Sequence, residues 1–420
     1  MIKEAEVSLD PLCVIAGVND NGKSTIGKVV FCVIKALNHY KTDLNVSKEK
    51  EVEEFLARVY FGLREAIKQD HMAEVWPKVR ESLTTELPIE NIRQVFDELA
   101  LVLYERESLD SDGVILLQRY RHELNALLDQ PEDQRSILEN AFTRVFAAEF
   151  DSQVLLSGAQ EGLIQVWENN LQLIHLSINS NNEVKLNVDI EPMIIRDATF
   201  IETPLILNFH DLLIRSQTQL EERDPRKLGR PYTSLHIKDL FEKLRVPVLP
   251  PVLVEASPNV SILKYIKAVV DGELSYDKSL RNFVFKRDSE NISIKNTASG
   301  IKVFGLLQIL LANEFITKNT LVVFDEPENH LHPKWQLKLA EVLVELVSQG
   351  VYIIVSSHSP YMIEALERYS ALKGLEGSCS FYLAENNKVE NKSQLPEIFA
   401  LLSEPFDEFR QLDAKVLHDE

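Results

Sequence analysis

Apolar and polar positions along this chain change period several times, and each change predicts a different kind of element. Leu12 to Ala16, "LCVIA", is a continuous apolar run of strand length, the pattern of a strand covered on both faces. Ile2 to Val7 reads as an earlier strand, and Thr25 to Asn38 as an amphipathic helix. From about Lys41 to Trp167 apolar residues recur at spacings of three and four, as in "VEEFLARVYFGLREAI" and "IRQVFDELALVLYE", which predicts a long helical block. The period then shifts to two. "NLQLIHLSINSNNEVKLNVDI" is a pair of alternating runs around an Asn-rich turn, a hairpin pattern. "DATFIET" follows as a buried strand, and Pro204 to Arg245 returns to helix, broken by the surface loop "ERDPRKLGRP". "NFVFKRDSENISIKN" is a second hairpin, and "SGIKVFGLLQILLANEF" a helix with a strongly apolar face. "TLVVFDEPE" is a buried strand ending in carboxylates. "PKWQLKLAEVLVELVSQG" is a helix with Pro333 near its start and Gly350 as its stop. "VYIIVSSHSP" is a further buried strand.

A chain of 420 residues with 45% hydrophobic content exceeds what one compact domain usually needs, so two lobes are expected. The formal charge is −20, a surface that repels a polyanion over most of its area. Tight unaided binding of nucleic acid is therefore not expected. Residues 41 to 150 carry 23 Asp and Glu against 14 Lys and Arg, so the helical block is itself acidic. Cys13, Cys32 and Cys379 are scattered and odd in number, which suggests a reducing compartment without a disulfide framework. "MIKEAEVSLD" lacks the apolar core of a signal peptide, and no apolar run has the roughly 18 residues a membrane span requires. A cytoplasmic protein is the expectation.

The chemistry starts in "GVNDNGKSTIGK". Gly17, Gly22, Lys23 and Ser24 occupy every fixed position of a phosphate-binding loop, and the loop follows an apolar strand and opens a helix, as that motif requires. Glycines let the backbone wrap close to phosphates, and the N–H groups of the following helix point at them. Gly17, Asn19, Asn21, Gly22, Lys23, Ser24 and Thr25 are the candidate nucleotide-binding residues. Lys23 would neutralise the β and γ phosphates of ATP, and the Ser24 hydroxyl would ligate magnesium (Mg²⁺). The acidic partner for the metal lies at the end of "LVVFDEPE". Asp325 emerges at the carboxyl end of a buried strand, where ligands sit in open α/β sheets. Asp325 would hold the metal shell, and Glu326 would orient or activate the attacking water. About 300 residues separate Lys23 from Asp325, so the helical block reads as an insertion between the two halves of one nucleotide site.

These residues resemble the ABC-type AAA ATPases of the SMC, RecF and OLD group, which split a head domain around projecting helices. "DEPENHLHP", Asp325 to Pro333, is similar to the acidic strand end and following loop of the compact ABC ATPases in prokaryotic defence and repair systems. In that resemblance His358 of "SSHSP" stands where the family has its switch histidine, able to hydrogen-bond the γ-phosphate. A lone histidine at a strand end is more often structural, and its place one strand after the Asp-Glu pair favours the switch. "NTASGIK", Asn296 to Lys302, resembles a degenerate signature, in which Ser299 and Gly300 would meet the γ-phosphate bound by a second subunit. The alternative is an ordinary helix cap.

The resemblance covers residues 1–40 and 165–385. It implies an α/β fold, an ABC-ATPase head with a P-loop sheet and antiparallel hairpins, split over 1–40 and 165–420 and carrying an inserted helical lobe over 41–164. It implies a homodimer or higher oligomer sandwiching ATP. Within the group the chain is most similar to the ATPase subunits of antiphage defence systems of the Septu, PARIS-like and retron-associated kinds. That likeness implies a slow, regulatory ATPase controlling a separately encoded effector such as a nuclease; a RecF- or SMC-like DNA-repair ATPase is the alternative. One position departs from the pattern: Glu202 and Thr203 end the strand where the family often offers a glutamine. His330 and His332 are spaced unlike a helical zinc pair, and "RDPRKLGR" reads as a solvated loop before a nucleic-acid contact. The residues after Leu383 are expected to be acidic and partly helical, without an appended TOPRIM nuclease.

Overall fold

The computed structural model describes residues 2–84, 89–129, 134–168, 170–218, 220, 231–247, 258–288, 290–329, 331–391 and 395–402. "RDPRKLGR", His330 and the acidic residues beyond Leu402 lie outside them. The chain divides into two compact units, one of Met1–Asn38 with Glu139–Glu420, the other of His39–Leu138.

The first unit is built on a seven-stranded sheet. Its strands are β1 (Glu4–Ala5), β2 (Leu12–Ala16), β6 (Asp197–Ile201), β10 (Thr320–Asp325), β11 (Tyr352–Ser357), β12 (Cys379–Glu385) and β13 (Lys388–Asn391). They lie in the order β1-β13-β12-β2-β11-β10-β6, and every pair is parallel except β12 with β13. The central strands β2, β11 and β10 read as apolar runs because both of their faces are covered. All five residues of β2 and all six of β10 are buried. Register then decides what meets at the strand ends. Ile201 pairs with Phe324, Asp325 with Ser356, and Ser357 with Ala16. The carboxyl ends of β6, β10, β11 and β2 therefore stand in a row along one edge.

Among the described residues two antiparallel sheets hold the remaining strands of this unit. One joins β3 (Glu161–Glu168), β4 (Leu171–Asn179) and β5 (Val184–Leu186); the other joins β7 (Glu273–Asp277), β8 (Asn282–Arg287) and β9 (Glu290–Ser293). Both expected hairpins are present, and each carries a third strand. The architecture is α/β, a mostly parallel P-loop sheet with antiparallel hairpins, as the resemblance implies.

Among the described residues the helices are α1 (Lys23–Ala66), α2 (Gln69–Thr84), α3 (Ile89–Glu105), α4 (Ser111–Asp129), α5 (Gln134–Phe150), α6 (His210–Leu213), α7 (Leu235–Leu244), α8 (Val260–Val270), α9 (Ser299–Ala312), α10 (Pro333–Ser348) and α11 (Pro360–Leu372). In the first unit α9 is buried nearly all round, which explains its near-absence of polar residues. Pro333 opens α10 and Gly350, with φ +86°, follows its end, as expected. A buried charge cluster ties three elements together. Lys35 of α1 reaches Asp197 of β6 and Asp239 of α7, each at 2.6 Å, and Lys243 of α7 reaches the same two carboxylates at 2.8 and 3.1 Å. Alternating charges around one closed group satisfy each other where an unpaired charge would cost several kcal/mol.

The second unit holds α2, α3, α4 and the end of α1. Val52, Phe55, Val59 and Leu63 of α1 are all buried, the three-and-four spacing that the sequence shows. They share a core with Val75, Val79, Phe96, Leu99, Leu103 and Leu117.

Several expectations need correction. The first strand shrinks from Ile2–Val7 to Glu4–Ala5. The first helix starts at Lys23 instead of Thr25 and runs past Asn38 to Ala66. Glu161–Glu168 is a strand, where the spacing predicts helix as far as Trp167. "LIQVW" is apolar at four of five positions, a run that fits both periods equally. Its pairing with β4 decides the matter, leaving Ile164 and Val166 partly covered and Leu163 and Trp167 exposed. Pro204 to Arg245 is a 3₁₀ turn over Pro204–Phe209 and two separate helices, α6 and α7.

Candidate nucleotide site

The site lies in the first unit, at the edge where the four strands end. Gly17 leaves β2 with φ +151°, and a Cβ there would come within 2.4 Å of the Ala384 carbonyl oxygen. Only glycine fits such a turn against backbone. The loop continues through Asp20 and Gly22 at φ +65° and +80°, and the Asn21 amide donates to Val18 O at 3.4 Å. α1 then starts at Lys23, so its unpaired N–H groups and the positive end of its dipole face the loop. Lys23 is buried; its ammonium folds back to donate to Val18 O at 3.0 Å and stands 3.5 Å from Glu326 Oε1.

The two halves of the site meet directly. Ser24 Oγ donates to Asp325 Oδ1 at 2.9 Å across 301 positions of sequence, and Ser356 Oγ donates to the same oxygen. Burial pushes the Asp325 carboxyl above its ordinary range; the hydroxyls of Ser356 and Ser24 oppose that, while the charges of Glu202 and Glu326 add to it. A buried carboxylate held in this way gains from a cation. Its partner hydroxyl and carboxylate are hard oxygen donors of the kind Mg²⁺ takes, one or two from protein with the remainder from phosphate and water. The donor set fits the metal.

Glu326 has a left-handed backbone, φ +49°, uncommon for a residue with a side chain. Its N–H donates to Ser356 O at 2.9 Å, and Asn329 donates to its Oε2 at 2.9 Å. Burial acts to raise its pKa, but the Asn329 bond, the His358 ring and the Lys23 ammonium outweigh burial and hold the carboxyl below its ordinary value. Glu326 is thus kept charged. His358 follows β11, with Nδ1 facing Glu326 Oε1 at 3.4 Å.

A cavity of about 220 Å³ opens here, lined by Asn19, Asp20, Gly22, Lys23, Ser24, Thr25 and Glu326. Residues 208–363 match the family model of the AAA ATPase domain. The matched segment holds Ser299, Asp325, Glu326 and His358 but ends short of the loop at Gly17, which the fold brings to it. Among solved structures the chain is similar to an SMC head domain from Thermotoga maritima, at 11% identity over 63% of this chain and 86% of that one, TM-score 0.31. It is also similar to an Smc head bound to the C-winged helix domain of ScpA, at 10% identity over 94% and 93%, TM-score 0.37. A third likeness is to an ATP-binding cassette of an ABC transporter in its ADP conformation, at 15% identity over 58% and 94%, TM-score 0.29. At these identities and scores the functional reading rests on the site's own residues.

Ser299 and Gly300 form the first turn of α9 after the cap Ala298. A Cβ at Gly300 would come within 2.7 Å of the Trp335 ring. Neither residue lines the cavity. His332 caps α10, its Nδ1 accepting from the Lys334 N–H at 3.3 Å.

Asp20, which lines the cavity, and Ser356, which holds Asp325, are not among the candidate residues of the sequence. A chain of charges, buried at Glu149 and His236 and ending at the exposed Glu202, is likewise absent from the motifs. Glu202 follows β6; its Oε2 lies 2.9 Å from His236 Nε2, and His236 Nδ1 lies 2.6 Å from Glu149 Oε1. Lys28 of α1 stands 3.4 Å from the same Glu149 oxygen. The signal was the lone histidine at the start of an amphipathic helix, visible only once its two carboxylates are placed.

Proposed function

We propose that this chain binds ATP with Mg²⁺ and hydrolyses it. The observation that carries the reading is the single edge on which Ser24 touches Asp325 at 2.9 Å and Lys23 meets Glu326 at 3.5 Å. The loop amides and the N-terminus of α1 bind and orient the phosphates. Lys23 exchanges its contact with Val18 O for phosphate oxygen. Ser24 and Asp325 would hold Mg²⁺, which supplies charge neutralisation on the phosphate oxygens when bound. Glu326, charged and backed by Asn329, orients the attacking water and accepts its proton. His358, beside Glu326, contacts the transferred phosphoryl group and changes partners on its loss.

The reading is tested by phosphate release from purified protein. Glu326→Gln is expected to keep ATP affinity and to lose at least about a hundredfold in turnover. Equal turnover in wild type and variant would refute Glu326 as the base.

Within this reading the chain is a slow, regulatory ATPase of the antiphage kind, joining a second copy of itself through ATP and controlling a separately encoded effector such as a nuclease. The intact Lys23, Asp325 and Glu326 support turnover over passive binding. The acidic composition of residues 41 to 150 supports a protein partner for the helical unit over nucleic acid. Among the described residues no helix is long and apolar enough to cross a membrane.

A further inference from the structure

Glu328 lies two residues beyond Glu326 but does not line the cavity. Glu326 lines the cavity, whereas Glu328 is only 4% exposed. A carboxylate so buried needs compensation, and among the described residues no Lys or Arg supplies it. It sits instead at the start of α11. Its Oε1 accepts from Ser357 Oγ at 2.7 Å, from the His358 N–H at 2.8 Å and from the Ser359 N–H at 3.1 Å. Three donors from three consecutive residues converge on one oxygen, at the positive end of a helix.

The same short segment is held from a second side. Ser359 Oγ caps α11 and donates to Gln336 Oε1 of α10 at 2.7 Å, and Gln336 Nε2 donates to Leu331 O at 3.1 Å. The turn after β10, the start of α10 and the junction of β11 with α11 are thus tied together through buried polar groups. His358 is the residue these ties present. Its Nδ1 lies between Glu326 Oε1 at 3.4 Å and Glu328 Oε1 at 3.5 Å. That nitrogen and Glu328 Oε2 are both buried without a hydrogen-bond partner.

We infer that Glu328 is a positioning residue: it fixes the backbone of His358 and turns the ring so that Nδ1 faces the two carboxylates and Nε2 is left for the phosphoryl group. The inference rests on the ATPase reading for its consequence, not for its geometry. Glu328 Oε1 stands 3.5 Å from the ring nitrogen without a hydrogen bond to it, so it acts on the ring through the His358 backbone N–H and through its charge.

The test uses the full chain with histidine labelled in its ring nitrogens. Glu328→Gln keeps volume and one acceptor oxygen but removes the charge and sets an amide against the ring. Expected are a kcat at least tenfold below wild type, a KM for ATP within twofold, and displaced ¹⁵N signals of the His358 ring, assigned by their absence in His358→Gln. Should Glu328→Gln fail to fold, Ser357→Ala withdraws one donor and keeps the charge; a smaller rate loss with ring signals displaced is expected. Wild-type turnover in the folded variant overturns the inference. So does a variant of lowered melting temperature whose ring signals stay in place, which would mark a structural cap. If the wild type itself releases no phosphate, the ATPase reading fails, and the ring signals alone decide: displaced they support the positioning role, unmoved they end it.

Discussion

Gly17 shows how tightly a single position can be fixed. Its φ of +151° and the 2.4 Å approach of a Cβ to the Ala384 carbonyl oxygen are both intolerant, because the obstacle is backbone of the neighbouring strand β12. Gly17→Ala is therefore expected to cost on the order of 1–3 kcal/mol in stability and to weaken ATP binding at least tenfold, read by thermal melting and calorimetric titration. Gly377→Ala, where nothing lies within 4 Å of the added carbon, is the control and should melt as the wild type does. Unchanged affinity in Gly17→Ala would show that the loop's path is not set at this residue. The loop was legible in the sequence because phosphate binding restricts residue types at fixed spacing, whatever surrounds them. Glu328 stands in "DEPE" and Ser356 in "SSHSP", and neither motif shows what they do. Their roles depend on partners about thirty positions away, Ser357 for one and Asp325 for the other, and no local pattern encodes such a pairing.

Four elements meet at His236, which begins α7 between the end of α5 and the end of β6, with Lys28 of α1 beyond Glu149. Burial alone would lower the imidazole, but the bonds to Glu149 and Glu202 outweigh burial and raise it above 6.5. Glu202 is lowered in turn, first by its bond from His236. The two shifts act with opposite sign on stability. The contribution of His236 is complete below its unfolded value and is lost as pH rises through the raised folded one. The contribution of Glu202 is complete above its unfolded value and is lost as pH falls through the lowered folded one. The triad is thus strongest in mild acid. As pH rises above the ordinary imidazole range, wild type should lose stability that His236→Gln, already weaker, does not lose. Denaturant melts of both proteins across that rise check this, and parallel losses would remove the triad as their cause. At this level the sequence was readable where one period dominated, in β2, β10, β11 and α10. It failed in β3, whose short apolar run fits helix and strand alike, and it offered no sign of β7, whose partner β8 identifies it. Pairing between strands is a property of the assembled sheet, and burial follows from it.

The residues that wall the site bear on assembly. The cavity takes its walls from the loop, the start of α1 and Glu326. The first turn of α9, with Ser299 and Gly300, belongs to the same compact unit but contributes nothing to those walls. If Ser299 serves the γ-phosphate as the resemblance implies, it does so from a second copy. ATP then acts as a reversible adhesive, and blocking hydrolysis should preserve the joint. Glu326→Gln with saturating ATP and Mg²⁺ is expected to double in mass by light scattering, and to return to monomer when ADP replaces ATP. Adding Ser299→Arg to that variant should prevent the doubling while leaving ATP affinity within a few-fold, since the arginine obstructs the partner's phosphate and not its own. The rival DNA-repair reading makes a different demand on the same material: duplex DNA should bind in the ATP state with a steep dependence on salt, against the −20 charge of the chain. A Glu326→Gln protein that stays monomeric with its site filled would sink the ATP sandwich, and one that doubles regardless of Ser299→Arg would place the joint elsewhere on the molecule.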